Sequence, residues 1–117
     1  PTRVGLVPIG YGDGWPWALS RGAEALVAGR RVPYLGRVNM DLIQLDLNNV
    51  PAAGVGEEVV LLGGAGEQRI DASEIAGWAA TSPYSITTSL GRRVTRRYLE
   101  AGRVVAQRGL DGRLRES

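Results

Sequence analysis

The chain has 117 residues, enough for one compact domain and too few for two. Hydrophobic residues make up 44% and charged residues 22%, so a core is available, built from Val, Leu, Ile and Ala because Phe is absent. Absence of Cys and His excludes disulfides, Cys/His zinc sites and His-based triads, and a net charge of +2, carried by 14 Arg and no Lys, is too small a surplus to argue for nucleic acid.

Seventeen Gly and six Pro punctuate short apolar runs, which is the pattern of a mainly β domain. Val4 to Ile9 reads as a first strand, fully buried because it does not alternate. Gly10 to Pro16 is a loop with an aromatic tip. Glu24–Ala28 and Arg31–Leu35 flank Gly29-Arg30 as a hairpin. Val38 to Leu47 is the clearest extended segment, with Ile43, Leu45 and Leu47 on one face by the two-residue period. Asn48 to Gly56 is turn-rich, Glu57 to Leu62 is a strand whose buried part is Val59-Val60-Leu61-Leu62, and Gly63, Gly64 and Gly66 mark a turn. Asp71 caps a helix over 72–81, with Glu74 completing a capping box, an Ile75, Trp78, Ala79 stripe, and Pro83 as its stop. A second short helix is predicted over 84–90, ending at Gly91 in a left-handed cap. Arg92 to Leu99 reads as a strand, with a weaker one at Arg103 to Ala106. These elements predict a small β-barrel-like domain over 1–106 and a polar, fraying tail over 107–117.

No apolar run approaches membrane-spanning length and no signal peptide is visible. Neither a membrane nor nucleic acid is expected as a partner. The lack of Cys fits a reducing cytoplasm. The opening at Pro1, directly before a strand-like run, looks like a cut inside a longer protein.

Three patches could carry chemistry, and each has a structural reading beside the functional one. The first is Pro8-Ile9-Gly10-Tyr11-Gly12-Asp13-Gly14-Trp15. Its glycines allow a sharp turn and the close approach of another surface, but no helix follows and no Lys is present, so it is not a phosphate loop. The second is Gly36-Arg37-Val38-Asn39-Met40-Asp41. Here Arg37 and Asp41 could form a surface ion pair worth ~0–1 kcal/mol, or the loop could present backbone N–H groups to an anion. The third is Tyr84 with the run Arg92, Arg93, Arg96, Arg97. A phenol suits a phosphate oxygen, yet a core tyrosine beside a solvated basic strand explains the same residues. Taken singly, each patch reads more readily as structure.

In order, the blocks PIGYGDGW, VPYLGRVNMDLIQLDL, GEEVVLLG and DASEIAGWAATSPYSITTSLGRRVTRRY resemble the C-terminal domain of alanine racemases, over Val4 to Leu99. The resemblance implies a two-domain enzyme whose N-terminal (β/α)8 barrel is absent from this chain. Pyridoxal 5′-phosphate is implied as cofactor, held by a barrel Lys and acting as an electron sink for the carbanion formed at Cα. That Lys and a Tyr preceding Pro1 are the implied bases, so no catalytic residue falls in this chain and the chain alone is expected to be inactive.

The resemblance further implies that Tyr84 binds the cofactor phosphate. The Met40 backbone N–H meets the substrate carboxylate in the partner subunit's site. Tyr11, Arg37, Asp41 and Trp17 line the substrate entrance. A homodimer, an amino-acid substrate, no metal, a cytoplasmic location and a role in supplying D-alanine for the cell wall are implied with it. Departures from the family pattern are Pro83-Tyr84-Ser85 around the phosphate-binding Tyr, Trp17 at a position often held by Arg, and Thr95 in place of Pro. The altered entrance leaves open a racemase of another amino acid. A non-catalytic β-barrel binding module is the remaining alternative.

Overall fold

The computed structural model describes residues 2–20, 22–108 and 114–116. Strand β1 (Val4–Val7) pairs antiparallel with β4 (Ile43–Asp46), Val7 opposite Ile43 and Val4 opposite Asp46. The alternation read from β4 holds: Ile43 and Leu45 are buried while Gln44 points outward. β1 is shorter than expected and is not fully buried. Val4 and Leu6 face outward, 51% and 64% exposed, because the strand lies with only one face on the core.

Residues 38–42, expected to extend β4, form a loop instead. The Asn39 N–H donates to the Leu42 carbonyl at 3.0 Å, which turns the chain back on itself.

A second sheet has the order β3-β2-β5, built from β2 (Glu24–Val27), β3 (Arg30–Pro33) and β5 (Val59–Val60). The turn between β2 and β3 is Ala28-Gly29, one residue earlier than read from the sequence, since Val27 pairs with Arg30. Both turn residues have positive φ, 53° and 73°, the primed geometry that matches strand twist. β5 is only two residues long and half-buried, against the longer buried strand expected. A bridge between Tyr34 and Leu45 joins this sheet to the β1–β4 pair.

The Gly63–Gly66 stretch, read as a turn, supplies a strand. β6 (Gly63–Ala65) pairs with β7 (Gln68–Ile70) around a Gly66-Glu67 turn. Helix α1 (Ala72–Ala79) follows. Asp71 caps it, its side chain accepting from the Glu74 N–H at 2.9 Å. The reciprocal half of the capping box is not made, because the Glu74 carboxylate is taken by Arg31 at 2.7 and 3.0 Å. Arg31 also meets Glu24 at 3.2 Å and the Arg69 carbonyl at 2.7 Å, so one guanidinium ties the β2–β3 hairpin to β7 and α1.

Helix α2 (Pro83–Thr88) has Ser82 as N-cap and Pro83 in its first turn, where a missing N–H costs nothing. It ends at Ser89 in right-handed geometry, and Gly91 is not left-handed. Residues 92–95 form a turn region. β8 therefore starts later than expected, at Arg96 (Arg96–Glu100), and pairs with β9 (Arg103–Arg108) through a bulge at Tyr98/Leu99. β9 runs past Ala106, and β10 (Leu114–Glu116) pairs with it. The expected fraying of 109–113 and 117 lies outside the described residues.

The class is mainly β with two short helices. The described strands form four separate sheets that do not close into a barrel. One core unites the first sheets with both helices. Leu19, Leu26, Val27, Val32, Ile43, Leu45, Ile70, Ile75 and Ile86 are each under 3% exposed. Burying such a side chain contributes about 1.5–3 kcal/mol. Trp15 and Tyr34 are buried among them, the indole N–H donating to the phenol oxygen at 3.1 Å.

Candidate functional site

The first two sequence patches meet in space. Gly10 opens a single helical turn over Tyr11–Asp13, and this turn lies along the Asn39–Met40 backbone. The Tyr11 N–H donates to the Asn39 carbonyl at 3.0 Å and the Gly12 N–H to the Met40 carbonyl at 2.8 Å. A Cβ at Gly10 would overlap the Asn39 and Met40 carbonyls, so this approach requires glycine. On the other side, a Cβ at Gly14 would overlap the Ser89 carbonyl at the end of α2, and the Gly91 N–H donates to the Asp13 carbonyl at 2.7 Å. Gly91 therefore meets the loop through its backbone N–H and forms no left-handed cap. Through this contact the helix that carries Tyr84 is anchored to the loop that carries Tyr11.

Asp13 is the one buried charged residue among the described residues. One carboxylate oxygen accepts from the Gly10 N–H at 3.1 Å, and the other faces Arg93 Nε at 2.8 Å. Arg93 then reaches Asp41, Nη2 to Oδ1, at 3.4 Å. The expected Arg37–Asp41 pair is thus replaced by Arg93–Asp41. Arg37 instead lies over the Trp17 ring, 5.1 Å from its centroid, a cation–π contact.

The structure brings Tyr11, Met40 and Asp41 together as one group and Trp17 with Arg37 as another. Tyr84 stands on α2, and its hydroxyl has no hydrogen-bond partner among the described residues. Tyr11, Met40, Trp17 and Tyr84 are 49%, 55%, 58% and 80% exposed, unusual values for large apolar side chains. Between Trp17 and α2 runs a cleft of about 220 Å³, bordered by Thr81, Ser85 and Ser89.

Sequence reasoning set Arg93 in a basic ladder beside Tyr84 and missed its pairing with Asp13 and Asp41. Nothing local marks a contact spanning fifty to eighty residues. Arg96 is also drawn inward, donating to the carbonyls of Leu90, Gly91 and Val94 at 2.8, 3.2 and 3.4 Å. The ladder is therefore not a free basic stripe. Among the described residues there is no metal-binding cluster, and no helix is long and apolar enough to cross a membrane.

The family profile described as "Alanine racemase, C-terminal domain" matches residues 1–98, most of the chain. The chain belongs to the alanine racemase C-terminal domain family. Alanine racemase from Thermodesulfovibrio yellowstonii is 46% identical over 98 residues, which are 84% of this chain and 27% of that protein. That from Hahella chejuensis is 42% identical, covering 90% of this chain and 27% of its own. Among solved structures, alanine racemase from Bacillus anthracis with bound L-Ala-P superposes with a TM-score of 0.85 at 38% identity, covering 92% of this chain and 27% of that one. The biosynthetic alanine racemase of Pseudomonas aeruginosa gives a TM-score of 0.78 at 38% identity, over 86% and 27%. This racemase domain thus spans about a quarter (27%) of the length of these relatives.

Proposed function

We propose that the chain acts as the C-terminal domain of a cytoplasmic, homodimeric alanine racemase that uses pyridoxal 5′-phosphate and supplies D-alanine for the cell wall. The observation that carries this reading is the junction of the Gly10–Gly14 loop with the Asn39–Asp41 loop. It leaves the Met40 N–H without an acceptor among the described residues and sets it beside an exposed Tyr11. A free backbone donor beside an exposed aromatic side chain suits a small carboxylate.

The cofactor fits what this domain offers. The Tyr84 hydroxyl is an exposed neutral donor on a helix fastened at its far end, suited to one phosphate oxygen. When bound in the whole enzyme, the cofactor supplies the electron sink for loss of the α-proton. With no Lys in the sequence, this chain cannot attach it covalently. Its own residues bind and orient: Tyr84 holds phosphate, Met40 N–H holds the substrate carboxylate, and Tyr11 with Asp41, Arg37 and Trp17 forms the entrance. The proton-transfer groups belong to the remainder of the protein and to a second subunit.

The test compares the full-length protein with the 117-residue chain, each mixed with pyridoxal phosphate and L-alanine. Cofactor retention through gel filtration and optical rotation of the alanine are followed together. The full-length protein should retain cofactor and racemise alanine, and the chain alone should do neither. A full-length protein that retains no cofactor would sink the reading.

A further inference from the structure

Between Asn39 and Met40 a single peptide unit carries both the Asn39 carbonyl and the Met40 N–H. In a trans peptide these two groups point in opposite directions, and no cis bond is present among the described residues. The Tyr11 N–H fixes the carbonyl at 3.0 Å, so it also fixes where the Met40 N–H points. The next carbonyl, that of Met40, is held by the Gly12 N–H at 2.8 Å. The direction of the free donor is therefore set by how firmly the Gly10–Gly14 loop sits against residues 39–41.

Arg93 is the group that grips both sides of that junction. Its Nε meets the buried Asp13 carboxylate within the loop at 2.8 Å, and its Nη2 meets Asp41, the residue after Met40, at 3.4 Å. Nη2 also lies over Gly12, 2.8 Å from where a Cβ would stand, in the gap bordered by Met40. Arg93, Asp13, Gly12, Met40 and Asp41 close a ring of contacts directly beside the peptide that carries the donor.

We infer that Arg93 is a positioning residue for the carboxylate-binding N–H of Met40, acting through Asp13 and Asp41. This rests on the racemase reading above. Arg93 itself acts without touching substrate or cofactor. Its loss frees the junction to rotate, and the substrate carboxylate meets a donor that is no longer aimed.

The experiment uses the full-length protein with three variants, Arg93→Met, Arg93→Lys and Asp41→Asn. Measured are KM and kcat for L-alanine and inhibition by propionate as a carboxylate probe. Arg93→Met should raise KM and the propionate inhibition constant in parallel, by about tenfold, with kcat within about threefold of the parent. Arg93→Lys keeps a cation for Asp13 but cannot span to Asp41, so it should fall between. Asp41→Asn, which leaves the Asp13 pair intact, should give about a twofold to threefold rise. A merely structural role would lower the melting temperature or the active fraction, hence kcat, and leave KM and propionate inhibition alone; that result overturns the inference. If Arg93→Met does not fold, the other two variants decide it by the same readout. An inactive parent protein overturns the racemase reading, and an active parent with unmoved KM in all variants overturns the positioning role alone.

Discussion

The Tyr34 hydroxyl is enclosed by the core, and burial pushes its pKa up to about 12, only partly opposed by the Trp15 indole N–H that donates to it. An unfolded tyrosine ionises near ~10. Between these values the unfolded state binds fewer protons than the folded one, so stability falls as pH rises. The loss begins near pH ~10 and amounts to ~2–3 kcal/mol once the folded phenol ionises at about 12. Urea midpoints across this range should show it, and Tyr34→Phe should abolish it. At neutral pH the same substitution should cost ~1–2 kcal/mol, because the buried Trp15 N–H loses its acceptor. The burial of Tyr34 was not legible from its neighbours Pro33 and Leu35. It follows from the bridge to Leu45, a contact that no local pattern announces.

At the level of elements, Ala28 takes φ 53° in the β2–β3 turn, a conformation that suits glycine or asparagine and crowds a Cβ. Ala28→Gly should therefore raise stability by about 0.5–1 kcal/mol in thermal unfolding, the relieved strain exceeding the added freedom of the unfolded chain. An unchanged or lower midpoint would count against strain at this turn. Elements whose signals are local were readable. Asp71 capped its helix, and Ile43 and Leu45 faced inward as their spacing required. Elements decided by distant partners were not. Glu74 left the capping box for Arg31, residues 38–42 left the strand for a turn against Gly10–Gly14, and Gly63–Ala65 became a strand because β7 was there to pair with. The site divides the same way. The family resemblance implied that Tyr11 and Met40 serve one substrate, whereas the Arg93 junction depends on three segments meeting.

Across the whole molecule, apolar surface is left outside the core. Val4, Leu6 and Val55 are 51%, 64% and 112% exposed around a concavity of about 450 Å³. Soluble monomers rarely leave such patches open. In sedimentation velocity the 117-residue chain should self-associate as its concentration rises. Val4→Glu with Leu6→Glu should reduce this while shifting stability by no more than about 0.5 kcal/mol for each exposed site. Association unaffected by the pair would place the sticky surface elsewhere.

The Arg93 junction also bears on how the chain is made. Its partners, Asp13 and Asp41, leave the ribosome well before Arg93 does, and contacts of such long sequence separation form slowly. A nascent chain can zip the β2–β3 hairpin and wind α1 while the carboxylate of Asp13 still waits for its cation. The junction of the Gly10–Gly14 loop with residues 39–41 is thus among the last parts of the domain to mature during synthesis. A nascent chain exposed as far as α2, with Arg93 still inside the ribosome, would hold much of its core in place and its Gly10–Gly14 loop unlatched from residues 39–41.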